Sequence, residues 1–285
     1  MPQRSAIVTG GLRGLGLAMS RGLIDAGWAV LAVGHIEADL DPFRQSVNDA
    51  ACAEALIADL RVPAECDRVF ATAVRRFGSV DCLVNNAGLT FTYTDPDRFS
   101  RGYPLPFWDI GDDISRNVIE TNYLAAEQMA RRAARVMRAG GWGRIINVTT
   151  KLDTMNALGA TPYGPSKAAL EMATEVWAKE LAKSSVTVNI LNPGFGANTP
   201  GISSILRERS RRGEFPPLVQ PEAMIAPLLW LTSPDADAIT GWRVDANQWN
   251  TNLPPREAAL RAGRPAGMTL HGPVEALPGA DEPGR

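Results

Sequence analysis

A tyrosine and a lysine stand four residues apart in Tyr163-Gly164-Pro165-Ser166-Lys167. On a helix, positions i and i+4 share a face, so a phenol and an ammonium would lie side by side. A nearby positive charge favours the phenolate. Free tyrosine titrates near 10, so work near pH 7 needs a shift of about 3 units, or roughly 4 kcal/mol. The lysine, helped by a second cation, can supply it. Tyr163 would then pass a proton to or from a substrate oxygen, catalysis typically worth ~10²–10⁴-fold. Taken alone, Y-x-x-x-K is common, and a surface pair at a helix start would read the same way.

Two further groups stand at useful distances. Thr149-Thr150 follows an apolar run, and Thr150 lies 13 residues before Tyr163. A threonine hydroxyl both donates and accepts, while its methyl restricts the rotamer and narrows a pocket. Asn122 sits within Glu120-Thr121-Asn122-Tyr123. Near the start of the chain, Thr9-Gly10-Gly11-Leu12-Arg13-Gly14-Leu15-Gly16 joins an apolar run to a helical pattern. Glycines let a backbone turn tightly and approach a bound group. The helix N-terminus that follows offers free N–H groups and a positive dipole end, which suit a pyrophosphate.

The elements that must position these residues repeat in a regular rhythm. Apolar runs at Ala6–Val8, Ala29–Val33, Leu56–Ala58, Val80–Val84, Arg144–Val148, Val186–Leu191 and Trp242–Val244 read as strands. Between them lie helical patterns at Leu15–Leu23, Pro63–Phe77, Ile114–Met137, Tyr163–Ala182 and Pro221–Leu231. Short apolar strands alternating with helices predict an α/β fold with a parallel sheet covered on both faces. We expect about seven strands in a single domain over 1–249, and a Pro/Gly-rich tail over 250–285 with one helical piece at Pro254–Arg261 and a mobile end. Leu89–Asp113 is long, irregular and aromatic, either lining a substrate entrance or packing on itself.

Gly10, Gly14 and Gly16 resemble the T-G-x-x-x-G-x-G turn of the short-chain dehydrogenase/reductase family. Asp59-Leu60, Asn85-Asn86-Ala87-Gly88, Tyr163 with Lys167, Asn192-Pro193-Gly194 and Thr240–Asp245 resemble the family's other motifs in order, over about residues 5 to 248. The resemblance implies a doubly wound Rossmann-type sheet and hydride transfer between NAD(P) and a carbonyl compound or alcohol. It implies cofactor contacts from Gly10, Leu12, Arg13, Gly14, Leu15, Gly16, Asp59, Leu60, Asn86, Ala87, Gly88, Tyr163, Lys167, Pro193, Gly194 and Thr199. It gives the Thr150 position to a serine that binds the substrate oxygen, so threonine is a departure here and Thr149 the fallback. It gives Asn122 the task of supporting a lysine-linked water through its backbone. It implies a cover over the substrate at about 195–218 and a homodimer or homotetramer built by the two long helices, with Ala125, Ala126, Ala168, Ala169 and Met172 on their exposed faces. Ala246-Asn247 replaces the family's usual Gly-Gly.

NAD selection calls for an acidic residue at the end of the second strand. Gly34 stands there, Arg13 is placed to pair with a 2′-phosphate, and His35 is a candidate helper. NADP(H) is therefore expected over NAD(H), with Glu37 keeping NAD open. A net charge of -2 excludes a strong field for nucleic acid or an acidic membrane. No apolar stretch approaches the roughly 20 residues of a membrane span, and the first residues lack a signal-peptide pattern. Cys52, Cys66 and Cys82 match neither a disulfide framework nor a metal site. The two histidines, His35 and His271, are not spaced as ligands, so no metal is expected. A cytoplasmic location follows as an expectation. Two rival readings remain at this point: a nucleotide-binding regulator without catalysis, and a related epimerase or lyase.

Overall fold

Runs such as Ala6-Ile7-Val8 and Leu31-Ala32-Val33 carry apolar side chains at successive positions, so both faces of their strands must be covered. The computed structural model describes residues 3–47 and 51–267, and covers one sheet with helices on both sides. Its first half runs β1 (Ser5–Thr9), α1 (Gly14–Asp25), β2 (Ala29–Gly34), α2 (Leu40–Ser46), β3 (Ala53–Ile57), α3 (Pro63–Phe77) and β4 (Cys82–Asn85). After β4 come two single-turn helices, α4 (Phe91–Thr94) and α5 (Arg98–Arg101). Helix α6 (Asp112–Ile119) continues through a π-helical turn at Glu120–Leu124 into α7 (Ala125–Gly140). Then follow β5 (Gly143–Val148), the short α8 (Leu152–Met155), α9 (Tyr163–Glu180) and β6 (Val186–Asn192). The chain goes on through α10 (Ser204–Arg211), α11 (Ile225–Leu231), β7 (Trp242–Asp245), α12 (Pro255–Ala262) and β8 (Gly263–Pro265).

The strand order is β3-β2-β1-β4-β5-β6-β7-β8, all parallel except β8. Successive residues of β1 serve opposite cores. Ile7 packs with Val69, Phe70, Met129 and Ala133 of α3 and α7. Ala6 and Val8 pack with Met19, Leu23, Leu228 and Leu231 of α1 and α11. Each of the larger side chains contributes about 1.5–3 kcal/mol on burial. Cys82 is fully buried among them, and burial pushes its thiol up to about 12, which suits packing rather than reactivity. The order reverses between β1 and β4, so the segments leaving these strands diverge and open a crevice at their carboxyl ends.

The sheet has eight strands, one more than the seven expected. The added strand, Gly263-Arg264-Pro265, is short and contains both Gly and Pro, so it carries no strand pattern of its own. It forms by antiparallel pairing with β7. Helix α12 precedes it and buries Ala258, Ala259 and Ala262. The mobile end expected beyond residue 267 lies outside the described residues. A second correction concerns the helix faces. Ala125 and Ala126 are 2% and 6% exposed within the chain itself, because the start of α7 packs on β4 and β5. Ala168, Ala169 and Met172 are each half-buried on α9, where a partly uncovered face remains.

Candidate active site

Glycines build the crevice floor. Gly10 and Gly14 have φ of +61° and +57°, where side-chain-bearing residues are strained. A Cβ on Gly16 would lie 2.0 Å from the Gly10 carbonyl oxygen. The loop after β4 fastens this turn: Asn86 donates its side-chain amide to the Thr9 and Gly10 carbonyls at 2.9 and 3.1 Å. Thr9 in turn accepts the Asn86 and Ala87 N–H groups at its hydroxyl, at 2.9 and 3.0 Å. Thr199, far away in sequence, lies against Gly14, where a Cβ would sit 3.3 Å from its side chain. A compact phosphate-sized cradle results at the N-terminus of α1. The residues present fit a dinucleotide there.

The remaining cofactor candidates divide. Leu12 is buried, its side chain occupying the space beside Gly34, where a Cβ would come within 2.6 Å. A side chain at this position would require Leu12 to move. Arg13 is exposed and forms an ion pair with Asp39 at 3.6 Å. His35 is exposed and close enough to Asp59 to help lower its carboxyl pKa. The larger cause of that lowering is Arg61, whose guanidinium grips Asp59 at 2.6–3.1 Å. Leu60 is buried. Leu15, Asn86, Gly88, Pro193, Gly194 and Thr199 all line one cavity with Tyr163 and Lys167.

That cavity, of about 460 Å³, brings the phenol and the ammonium together. Tyr163 opens α9, and Lys167 follows one turn later on the same face. The Lys167 ammonium donates to the Val148 carbonyl at 2.9 Å, and burial pushes its pKa down to about 8. Gly88 passes so close that a Cβ there would sit 3.3 Å from the Lys167 Nζ. Burial pushes the Tyr163 phenol up, and a hydrogen bond with Thr150 partly opposes this. The phenol is thus protonated near pH 7 and able to donate.

Thr149 and Thr150 have different surroundings. Thr150 lines the cavity with Tyr163, close enough to the phenol to draw its pKa down. The Thr149 hydroxyl faces inward, donating to Glu171 at 3.1 Å and accepting from Arg243 at 3.0 Å. Asn122 is fully buried on the π-helical turn. It accepts from the Leu89 N–H at 2.7 Å and donates to the Leu89 carbonyl at 3.0 Å. It also donates to Ser166 at 2.9 Å, and Ser166 donates to the Tyr163 carbonyl at 2.6 Å. One asparagine thus joins the loop after β4 to the first turn of α9.

Three participants have no role in the sequence reading, and Phe91 of the aromatic segment joins them. Ser166 lies inside the Y-x-x-x-K motif and is legible there. Arg243 and Glu171 form a buried ion pair at 2.6 Å behind the threonines, and Arg243 also donates to the Thr150 carbonyl at 2.7 Å. Only the presence of an arginine within an apolar strand signals it. Phe91 packs its ring 4.7 Å from that of Tyr163. The aromatic segment after β4 therefore folds against the site rather than only on itself.

A doubly wound sheet, a glycine cradle at its switch point and a phenol–ammonium pair beside it define a nicotinamide-dependent oxidoreductase. The chain matches the short chain dehydrogenase family over residues 4–209 and belongs to that family. It is 30% identical to the short-chain reductase protein NovJ of Streptomyces niveus, covering 83% of this chain and 89% of that one. It is 29% identical to a D-beta-hydroxybutyrate dehydrogenase of Rhizobium meliloti, with 85% and 96% covered. The fold superposes on a single-site variant of actinorhodin polyketide ketoreductase with NADPH, with a TM-score of 0.72, 26% identity, and 84% and 95% of the two chains covered.

Proposed function

We propose that this enzyme interconverts a ketone or aldehyde and its alcohol, with Tyr163 as general acid and base. The observation that carries the reading is the convergence of Tyr163, Thr150 and Lys167 on one cavity, which Leu15 of the glycine turn and Asn86 and Gly88 of the loop after β4 also line. When bound, the nicotinamide supplies or accepts the hydride. Thr150 and Tyr163 hold the substrate oxygen between two hydroxyls, and Tyr163 gives or takes its proton. Lys167 stabilises the charge that develops on the phenolate. Asn122 fixes the loop after β4 and the first turn of α9, which keeps the lysine and the phenol in register.

The cradle at Gly10, Gly14 and Gly16 would hold the pyrophosphate, with Asn86, Ala87 and Gly88 along the adjoining wall. Pro193, Gly194 and Thr199 would border the nicotinamide end, and Asp59 and Leu60 the adenine end. NADP(H) is the preferred cofactor in this reading. Gly34 offers no carboxylate at the end of β2, Leu12 fills the space beside it, and Arg13 would exchange Asp39 for a 2′-phosphate. An exposed ion pair of this kind contributes at most about 1 kcal/mol, so the exchange costs little. Titrating the protein with NADPH and NADH, followed by nicotinamide fluorescence, tests this. Tighter NADPH binding that is lost in Arg13→Ala is expected, whereas tighter NADH binding would move the selectivity to Glu37.

A further inference from the structure

The Tyr163 hydroxyl marks where a substrate oxygen must sit, so the groups around it set what the rest of the substrate can be. Phe91 lies against the Tyr163 ring at a centroid distance of 4.7 Å. Phe99 lines the same cavity from the neighbouring turn. From another part of the chain, Phe195 and Phe215 form a second aromatic pair at 5.1 Å, joined by Ile202 and Leu206. The two segments are tied together, since Thr92 donates to the Gly201 carbonyl at 2.6 Å. Four phenylalanines thus wall one chamber.

Three cations also line it, and each already has a partner. Arg98 donates to the Gly159 and Leu158 carbonyls at 2.5 and 3.1 Å, with its guanidinium 4.6 Å from the Phe91 ring. Lys151 pairs with Asp153 at 2.6 Å. Lys167 donates to Val148 at 2.9 Å and serves the phenol. A small keto acid would leave most of these aromatic walls uncovered, whereas a ring would cover them.

We infer that the substrate is a neutral ketone carried on a ring system, or the matching secondary alcohol, and not a small keto acid. This rests on the hydride-transfer reading above. The ring lies on the Phe91 and Phe215 walls, where offset or edge contacts between rings are favoured. The carbonyl carbon accepts the hydride and its oxygen takes the Tyr163 proton, giving the secondary alcohol.

The test compares initial rates of NADPH and NADH oxidation by the full chain with 1-tetralone, 2-butanone and acetoacetate. The kcat/KM for 1-tetralone should exceed both others by on the order of 100-fold. Phe215→Ala should shrink that ratio about tenfold, and Phe99→Ala, an independent variant on the other wall, should do the same. Equal or better use of acetoacetate would overturn the ring-ketone inference while leaving hydride transfer standing. Failure of every ketone with both nucleotides, despite nicotinamide binding, would instead bring down the hydride-transfer reading and this inference with it.

Discussion

Tyr163 and Lys167 illustrate how burial can move two neighbours in useful directions. Burial raises the phenol and lowers the ammonium to about 8. Both shifts disfavour charge, so a bound partner is needed before the phenolate becomes accessible. In the proposed mechanism, Tyr163→Phe removes the group that carries the proton to the substrate oxygen. Its kcat should fall about 10²–10⁴-fold while nicotinamide fluorescence still reports binding. Near-normal turnover in that variant would refute the role of Tyr163. The pH dependence has a definite sign. Carbonyl reduction by the proposed mechanism needs a protonated phenol and a charged Lys167. The phenol remains protonated well past neutrality, so the lysine loses its proton first. The kcat/KM for reduction should therefore be flat below, and decline above, a pH of about 8. Lys167→Arg keeps the charge to higher pH and should push the declining limb upward, even if the rate itself drops. An unmoved limb would assign it to another group.

At the scale of elements, the site depends on how three pieces meet. The π-helical turn between α6 and α7 turns Asn122 inward, as such turns often do at functional sites. The end of β5 delivers the two threonines. The buried Arg243 of β7 reaches across to Glu171 of α9 and to the Thr150 carbonyl. Burial raises the Glu171 carboxyl, and Arg243 and Thr149 draw it back down. Removing one member leaves a charge stranded in the core. Arg243→Met should cost about 3–5 kcal/mol, seen as a lower urea midpoint. Arg243→Met with Glu171→Met should recover most of that loss, since an apolar pair of similar volume is often neutral. A double variant no more stable than the single one would show that the pair stabilises through more than charge balance. This pair also marks where the sequence stops being informative. Tyr163, Lys167 and the glycine turn are legible because their chemistry demands particular residues at short, local spacings. Arg243 and Glu171 lie 72 residues apart, and only the folded sheet brings them together. The strand Gly263–Pro265 is hidden for a related reason: its pairing partner, and not its own side chains, makes it a strand.

At the scale of the whole molecule, periodicity identifies apolar helix faces but not what covers them. Ala125 and Ala126 face β4 and β5 within the chain. What remains partly uncovered is a stripe along α9 at i, i+4 spacing: Ala168, Met172 and Val176, the last 43% exposed. Leu124, 41% exposed, adds to it from the π-helical turn, which packs on α9. An apolar stripe of this kind on α9 suits burial against a second copy, and two-fold symmetry would place the same stripe on both sides. On this reading the protein is a dimer or tetramer in solution. Light scattering coupled to gel filtration should give the mass of two or four protomers. Val176→Asp would place an unpaired carboxylate in each copy of the contact, and like charges would face each other near the symmetry axis. That variant should shift to a smaller assembly while keeping its helical circular dichroism. A native chain that runs as a single protomer at micromolar concentration would rule the assembly out. An assembly indifferent to Val176→Asp would place its contact on some other surface.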